Sequence, residues 1–197
     1  MRDDEITAYA LAAGSGDADA TTAFVRATQV DVWRYVAYLA DRECADDLTQ
    51  ETFLRALRGL RTFRGDVPAR VWLLSIARRA VVDHFRKQGR TPAVTASLDS
   101  DAVVADRITP ATPDPAGAVT LQALIAQLDA DKRAAFVLTQ ISGLSYEEAA
   151  RACGVPIGTI RSRVARARED LMVAMRTDAP AATEAAPERS RRLRRTR

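Results

Sequence analysis

The segment Leu144–Asp170, LSYEEAARACGVPIGTIRSRVARARED, sets a short helix against a longer arginine-rich one across Cys153-Gly154-Val155-Pro156. Ser145 followed by Glu148 spells a capping box: the serine oxygen accepts the amide hydrogen of residue 148 while the glutamate reaches back to the cap amide. A helix therefore starts at Tyr146. Ala149, Ala150 and Ala152 keep one face thin enough for another helix to approach, Gly154 suits a left-handed C-terminal cap, and Pro156 suits the first turn of the next helix. This is the grammar of a helix-turn-helix.

In the second helix, Ile157, Ile160, Val164, Ala167 and Leu171 fall within about 80° of one another on a wheel, which predicts a buried stripe. Opposite lie Gly158, Ser162 and Ala165, all small, flanked by Arg161 and Arg166. Small residues let a helix settle deep in a major groove, where Arg161 can donate two hydrogen bonds to a guanine edge and Ser162 can bond a purine or a phosphate. Thr159, Arg163 and Arg168 are placed to hold phosphates.

Working outward, charge is distributed in blocks. The chain of 197 residues carries a net +3, but residues 63–90 hold seven basic side chains against two acidic and residues 131–176 eight against five, with an acidic stretch, one against five, between them. Two basic blocks joined by an acidic segment suit two contacts with a polyanion. Helical periodicity is expected over 4–14, 18–40, 46–61, 69–87, 118–128, 131–141, 146–152 and 156–175, with no alternating strand. Between Gly89 and Gly117, Pro92, Pro110, Pro113 and Pro115 mark a linker, and six arginines crowd the last nine residues. The expected fold class is all-α, two small helical domains on a flexible linker, the second containing the helix-turn-helix.

The first domain offers two surfaces. Over DDLTQETFLRALRGLRTFRG, Asp46–Gly65, a wheel gathers Thr52, Phe53, Ala56, Leu57 and Leu60 as a core face and Asp47, Gln50, Glu51, Arg55 and Arg58 opposite, with Leu54 amid the polar set. An apolar anchor ringed by polar groups fits a small protein-docking spot. Downstream, the TFRGDVPAR loop with Phe63 precedes a helix bearing Arg78, Arg79, Arg86, Lys87 and Arg90, the combination that unpaired bases and their phosphates require. Trp72, Ile76 and Phe85 read as core.

Both blocks together resemble bacterial sigma factors of the extracytoplasmic-function group. ADDLTQETFLRALRGLRTFRG, ARVWLLSIARRAVVDHFRKQGR and GLSYEEAARACGVPIGTIRSRVARARE are similar, in order, to that family's second and fourth conserved regions. The resemblance implies a region 2 type domain over 1–89, a linker over 90–117, a region 4 type domain over 118–176 and a tail over 177–197. It implies that the −35 promoter element is met by Arg151, Gly158, Thr159, Arg161, Ser162, Arg163, Ala165 and Arg166, and the −10 element by Phe63, Arg64, Arg78, Arg79, Arg86 and Lys87. Asp47, Gln50, Glu51, Leu54, Arg55 and Arg58 would dock on the clamp of RNA polymerase core enzyme. An anti-sigma factor is the further partner implied. Arg79 stands where many relatives carry asparagine, and Ala165 replaces a bulkier side chain, so the base preference does not transfer.

Other classes fit less well. A stand-alone helix-turn-helix regulator needs a dimer seam or an effector pocket, and a helical scaffold would leave Arg161 idle. No carboxylate pair, activated nucleophile or phosphate loop suggests an enzyme or a small-molecule substrate. Cys44, Cys153 and His84 lack metal-ligand spacing, so neither cofactor, zinc nor disulfide is expected. The acidic start MRDDEITAY and the lack of a long apolar run point to the cytoplasm.

Overall fold

The computed structural model describes residues 2–89 and 121–177, and among these there is no strand. The linker expected over 90–117 and the tail from 178 onward lie outside the described residues. Among the described residues, eight α-helices follow the periodicity closely: α1 (Asp3–Gly14), α2 (Ala18–Leu39), α3 (Ala45–Gly59), α4 (Ala69–Lys87), α5 (Leu121–Ala126), α6 (Ala130–Phe136), α7 (Tyr146–Cys153) and α8 (Ile157–Thr177). A π-helical turn, Val137–Ile141, continues α6.

Local chemistry sets the ends. Asp17 accepts from the Ala20 amide at 2.9 Å and starts α2. Pro68 precedes α4 and offers no side-chain cap, so the Ala69 amide is satisfied from a distance, donating to Thr7 Oγ1 of α1 at 3.0 Å. At the end of α1, Gly14 lies so close to the turn after α3 that an added Cβ would stand 2.5 Å from the Leu60 carbonyl oxygen.

In the first half α2, α3 and α4 pack on one another around Phe24, Val32, Leu73 and Leu74, and Trp33 Nε1 on α2 donates to Asp46 Oδ1 on α3 at 2.8 Å. In the second half α8 lies on α5, α6 and α7 through Ile160, Val164, Ala167 and Leu171. The two halves do not stand apart. Helix α7 packs directly on α4, and the buried residues form one continuous cluster that runs through Tyr35 and Val36 of α2 into Ile125, Leu138, Ala149 and Cys153. Helix α7, whose Ala149, Ala150 and Ala152 are all buried, therefore packs on both α8 and α4.

Two members of the expected core faces are corrected. Leu57 is 38% exposed, because at about 100° per residue it lies about 40° beyond Phe53, past the edge of the buried arc and toward Leu54. Ile157 is also 38% exposed: its wheel angle matches the stripe, but it is the first residue of α8, where the packed face runs out.

Candidate nucleic-acid interface

The helix-turn-helix closes as its residues dictate. Ser145 Oγ accepts from the Glu148 amide at 3.2 Å and Glu148 Oε2 accepts from the Ser145 amide at 2.8 Å. Gly154 ends α7 at φ 69°, left-handed backbone that a side chain would strain, and the Val155 amide reaches back to the Ala150 carbonyl. With Ile160 and Val164 held in the core, the opposite arc of α8 is set: Gly158, Arg161, Ser162, Ala165 and Arg166 are exposed together on one face. Ser162 Oγ donates to the Thr159 carbonyl at 3.0 Å, which leaves its lone pairs outward for an incoming donor. Arg151, on α7, is exposed and paired with Glu147 at 3.1 Å.

Thr159 and Arg163 lie off this arc and are only partly exposed. Arg163 turns toward α6, where its guanidinium donates to Asp131. The same carboxylate accepts from Arg78 of α4 at 3.2 Å, so one acid joins the two basic blocks. Arg168 is occupied with Gln140 at 2.7 Å.

On α4, Arg79, Arg86 and Lys87 are exposed, whereas Arg78 is largely covered; Arg90 lies outside the described residues. Phe63 does not project freely: its ring packs on Trp72 with centroids 4.9 Å apart, while Arg64 beside it is exposed. Gly65 gives the loop its positive φ of 77° and brings it over Leu11. On α3, Leu54 is 46% exposed and adjoins Leu57, giving an apolar pair among exposed Asp47, Gln50 and Arg58. Arg55 and Glu51 of that face are half-buried and paired with each other at 2.7 Å.

Four residues that sequence reading did not single out organise the seam between the halves. Arg70 of α4 donates through Nε to Asp31 at 2.8 Å and through Nη2 to the Ser142 carbonyl at 2.6 Å. Arg133, 4% exposed, donates to the Ala126 and Leu128 carbonyls at 2.7 and 2.9 Å and across the seam to the Leu39 carbonyl at 3.3 Å. Burial lowers its pKa, opposed by the Asp129 and Asp41 charges, and a guanidinium stays protonated regardless. Asp131 is the third. Tyr35 is the fourth: it is fully buried, its hydroxyl lacks a hydrogen-bond partner, and burial holds its phenol well above the ordinary range. A buried orphan hydroxyl costs roughly 1–3 kcal/mol. Burial likewise raises the Cys153 thiol and so disfavours its reactive thiolate.

The sequence matches two family models, Sigma-70 region 2 over residues 24–91 and Sigma-70 region 4 over residues 118–171. It is 48% identical over 171 residues to the ECF RNA polymerase sigma factor SigC of Mycobacterium tuberculosis, an alignment that covers 86% of this chain and 91% of that protein. The chain belongs to the extracytoplasmic-function sigma factors. Solved structures carry the same fold. CnrH in complex with the cytosolic domain of CnrY matches this sigma factor with a TM-score of 0.68 and 25% identity over 89% of this chain and 99% of that one. The sigma factor RpoE from Bartonella quintana, in complex with the anti-sigma factor NepR, matches with a TM-score of 0.60 and 30% identity over 78% and 95%. Among the described residues of this sigma factor, no helix is long and apolar enough to cross a membrane.

Proposed function

We propose that this sigma factor reads the −35 element with the exposed arc of α8 and the −10 element with the Phe63–Pro68 loop and the exposed basic side of α4, while Leu54 anchors it to the polymerase clamp. It acts in the cytoplasm as a non-enzymatic initiation factor. The observation that carries the reading is the arc of α8: Arg161, Ser162 and Ala165 face outward together, over a backbone that Gly158 and Ala165 leave accessible to a groove. Arg161 supplies the bidentate donor for a guanine, and Arg166, Thr159 and Arg151 flank it as phosphate contacts. Arg64, Arg79, Arg86 and Lys87 offer charge for the melted strand around the Phe63–Trp72 pair. Leu54 and Leu57 supply the apolar centre of the docking face, with Asp47, Gln50 and Arg58 as its rim. By analogy with the RpoE–NepR pair, an anti-sigma factor is a further partner.

Transcription in vitro tests this directly. Core polymerase supplied with the sigma factor and genomic DNA should start transcripts at a defined set of sites that core alone does not use, and Arg161→Glu should remove that set. Tight sequence-specific binding to duplex DNA by the protein alone, with no effect on polymerase start sites, would identify a stand-alone regulator instead.

A further inference from the structure

We propose that the arginine block of residues 189–197 is a further, sequence-indifferent DNA contact, which grips duplex phosphates beside the element that α8 reads. The inference rests on the assignment of α8 to duplex DNA. The block, RSRRLRRTR, holds six arginines and no acid, and it lies beyond the region 4 match, which ends at residue 171. Its composition selects the class of partner. Leu193 is its one apolar residue, too little for an amphipathic face to enter a lipid surface, and it has no aromatic ring on which an unpaired base would stack. What remains is a set of guanidiniums, the group that matches phosphate oxygens in a two-pronged fork and carries no base preference when it does so.

The structure supplies the route. Arg168 and Arg176 lie within about 80° of Arg161 around α8, so a basic track runs from the outward arc to the end of the helix at Thr177. All three are exposed. Arg168 and Arg176 donate to neutral oxygens, Gln140 Oε1 at 2.7 Å and the Met172 carbonyl at 3.2 Å, so neither hydrogen bond cancels the charge. Of the acids beside the track, Asp170 is paired with Lys132 at 2.9 Å. Reach is sufficient. Arg161 precedes Thr177 by sixteen residues, about 24 Å along the helix at about 1.5 Å per residue. The twelve residues from 178 to 189 span up to about 40 Å. The block can therefore return to the duplex that Arg161 faces and add its charge to a complex that α8 has already placed.

The test uses polymerase holoenzyme carrying the full chain, with all six arginines of the block replaced by glutamine in one variant and by lysine in another. Promoter affinity is measured against salt concentration, and hydroxyl-radical footprinting maps the protected backbone. Each neutralised phosphate contributes about 0.9 to the slope of log K against log salt, so the glutamine variant should lose roughly three to five from that slope. It should also lose protection beside the −35 element and keep its base preference within it. The lysine variant should retain both slope and protection. An unchanged slope in the glutamine variant overturns the proposal. So does a rise in its affinity, which would put the arginines on the exposed acids Asp41, Glu43, Asp46 and Asp47 of the same chain. Weakened binding to core polymerase with the promoter slope intact would put them on polymerase and overturns it equally. Arg161→Glu separates the two readings. If it removes the −35 preference while the glutamine variant leaves slope and footprint unchanged, α8 reads DNA and the block does not; if the preference survives Arg161→Glu, the assignment of α8 fails and takes the block's placement with it.

Discussion

Arg55 Nη1 of α3 donates to Asp83 Oδ2 of α4 at 2.7 Å, and its Nε reaches Glu51 at the same distance. The two carboxylates raise the Arg55 pKa and hold its head group against the protein, so that Leu54, next in sequence, is presented from a fixed turn. On the proposed docking reading, Arg55 braces the turn that carries Leu54. Leu54→Asp is expected to abolish core-polymerase binding and leave the circular dichroism spectrum intact; retained binding in a pull-down would remove the docking assignment. Arg55→Ala should cost only about 0.2–1 kcal/mol in a denaturant melt, because both pairs are partly solvated.

Arg161→Ala is expected to cost roughly 1–3 kcal/mol at one base pair of the upstream element and to relax preference there. Competition binding by holoenzyme against a set of upstream substitutions measures this. A uniform loss at every position would reassign Arg161 to a phosphate.

Transcription by the holoenzyme should fall steeply when the spacer between the two promoter elements changes by a few base pairs, since each base pair turns one element by about a tenth of the 10–10.5 bp helical repeat. A run-off series over spacer length checks this. Equal activity across the series would leave only one of the two halves as a DNA reader.

Ser145→Ala removes half of the capping box and should destabilise the chain by about 1 kcal/mol. Gly14→Ala forces a Cβ toward the Leu60 carbonyl, 2.5 Å away without relaxation, and should cost about 1–3 kcal/mol. Thermal melts compare the two. A neutral Gly14→Ala would mean that the turn after α3 yields freely.

Alkaline pH should weaken the fold. Cys153 and Tyr35 ordinarily ionise near 9.0 and 10.0, and burial raises both in the folded chain. The folded state therefore retains protons that the unfolded state has lost: the contribution is whole below the unfolded values and declines as pH rises above them. Denaturant midpoints should fall as pH rises past 9.0, and Cys153→Ala should flatten the early part of that fall.

The helix-turn-helix and the helix boundaries were legible because their signals are local. Ser145, Glu148, Gly154 and Pro156 each constrain backbone within one turn, and every expected core residue of α8 except the terminal Ile157 is buried. Leu54 stood out because an apolar side chain interrupts a polar arc. Packing between the halves had no such signature. Asp131 meets Arg78 across 53 positions and Arg133 meets Leu39 across 94, separations over which no periodicity relates one residue to another. On a helical wheel, Arg78 and Arg163 looked like free cations for DNA, and only the fold shows them sharing an acid. The contact of Phe63 with Trp72 has no local signature for the same reason, since it depends on how the loop folds back.

The seam through Tyr35 also changes what a dissected protein can reveal. Two faces carried on one chain meet at an effective concentration set by their connection, of order millimolar for short ones, whatever the concentration in solution. An association too weak to hold two separate molecules at micromolar levels can therefore dominate within the intact chain. Either half expressed alone is released from that local excess of its neighbour, so the side chains buried at the seam in the whole protein are exposed in the isolated half. Adding the other half back in trans at ordinary concentrations will not restore the restraint; only rejoining the two in one chain will.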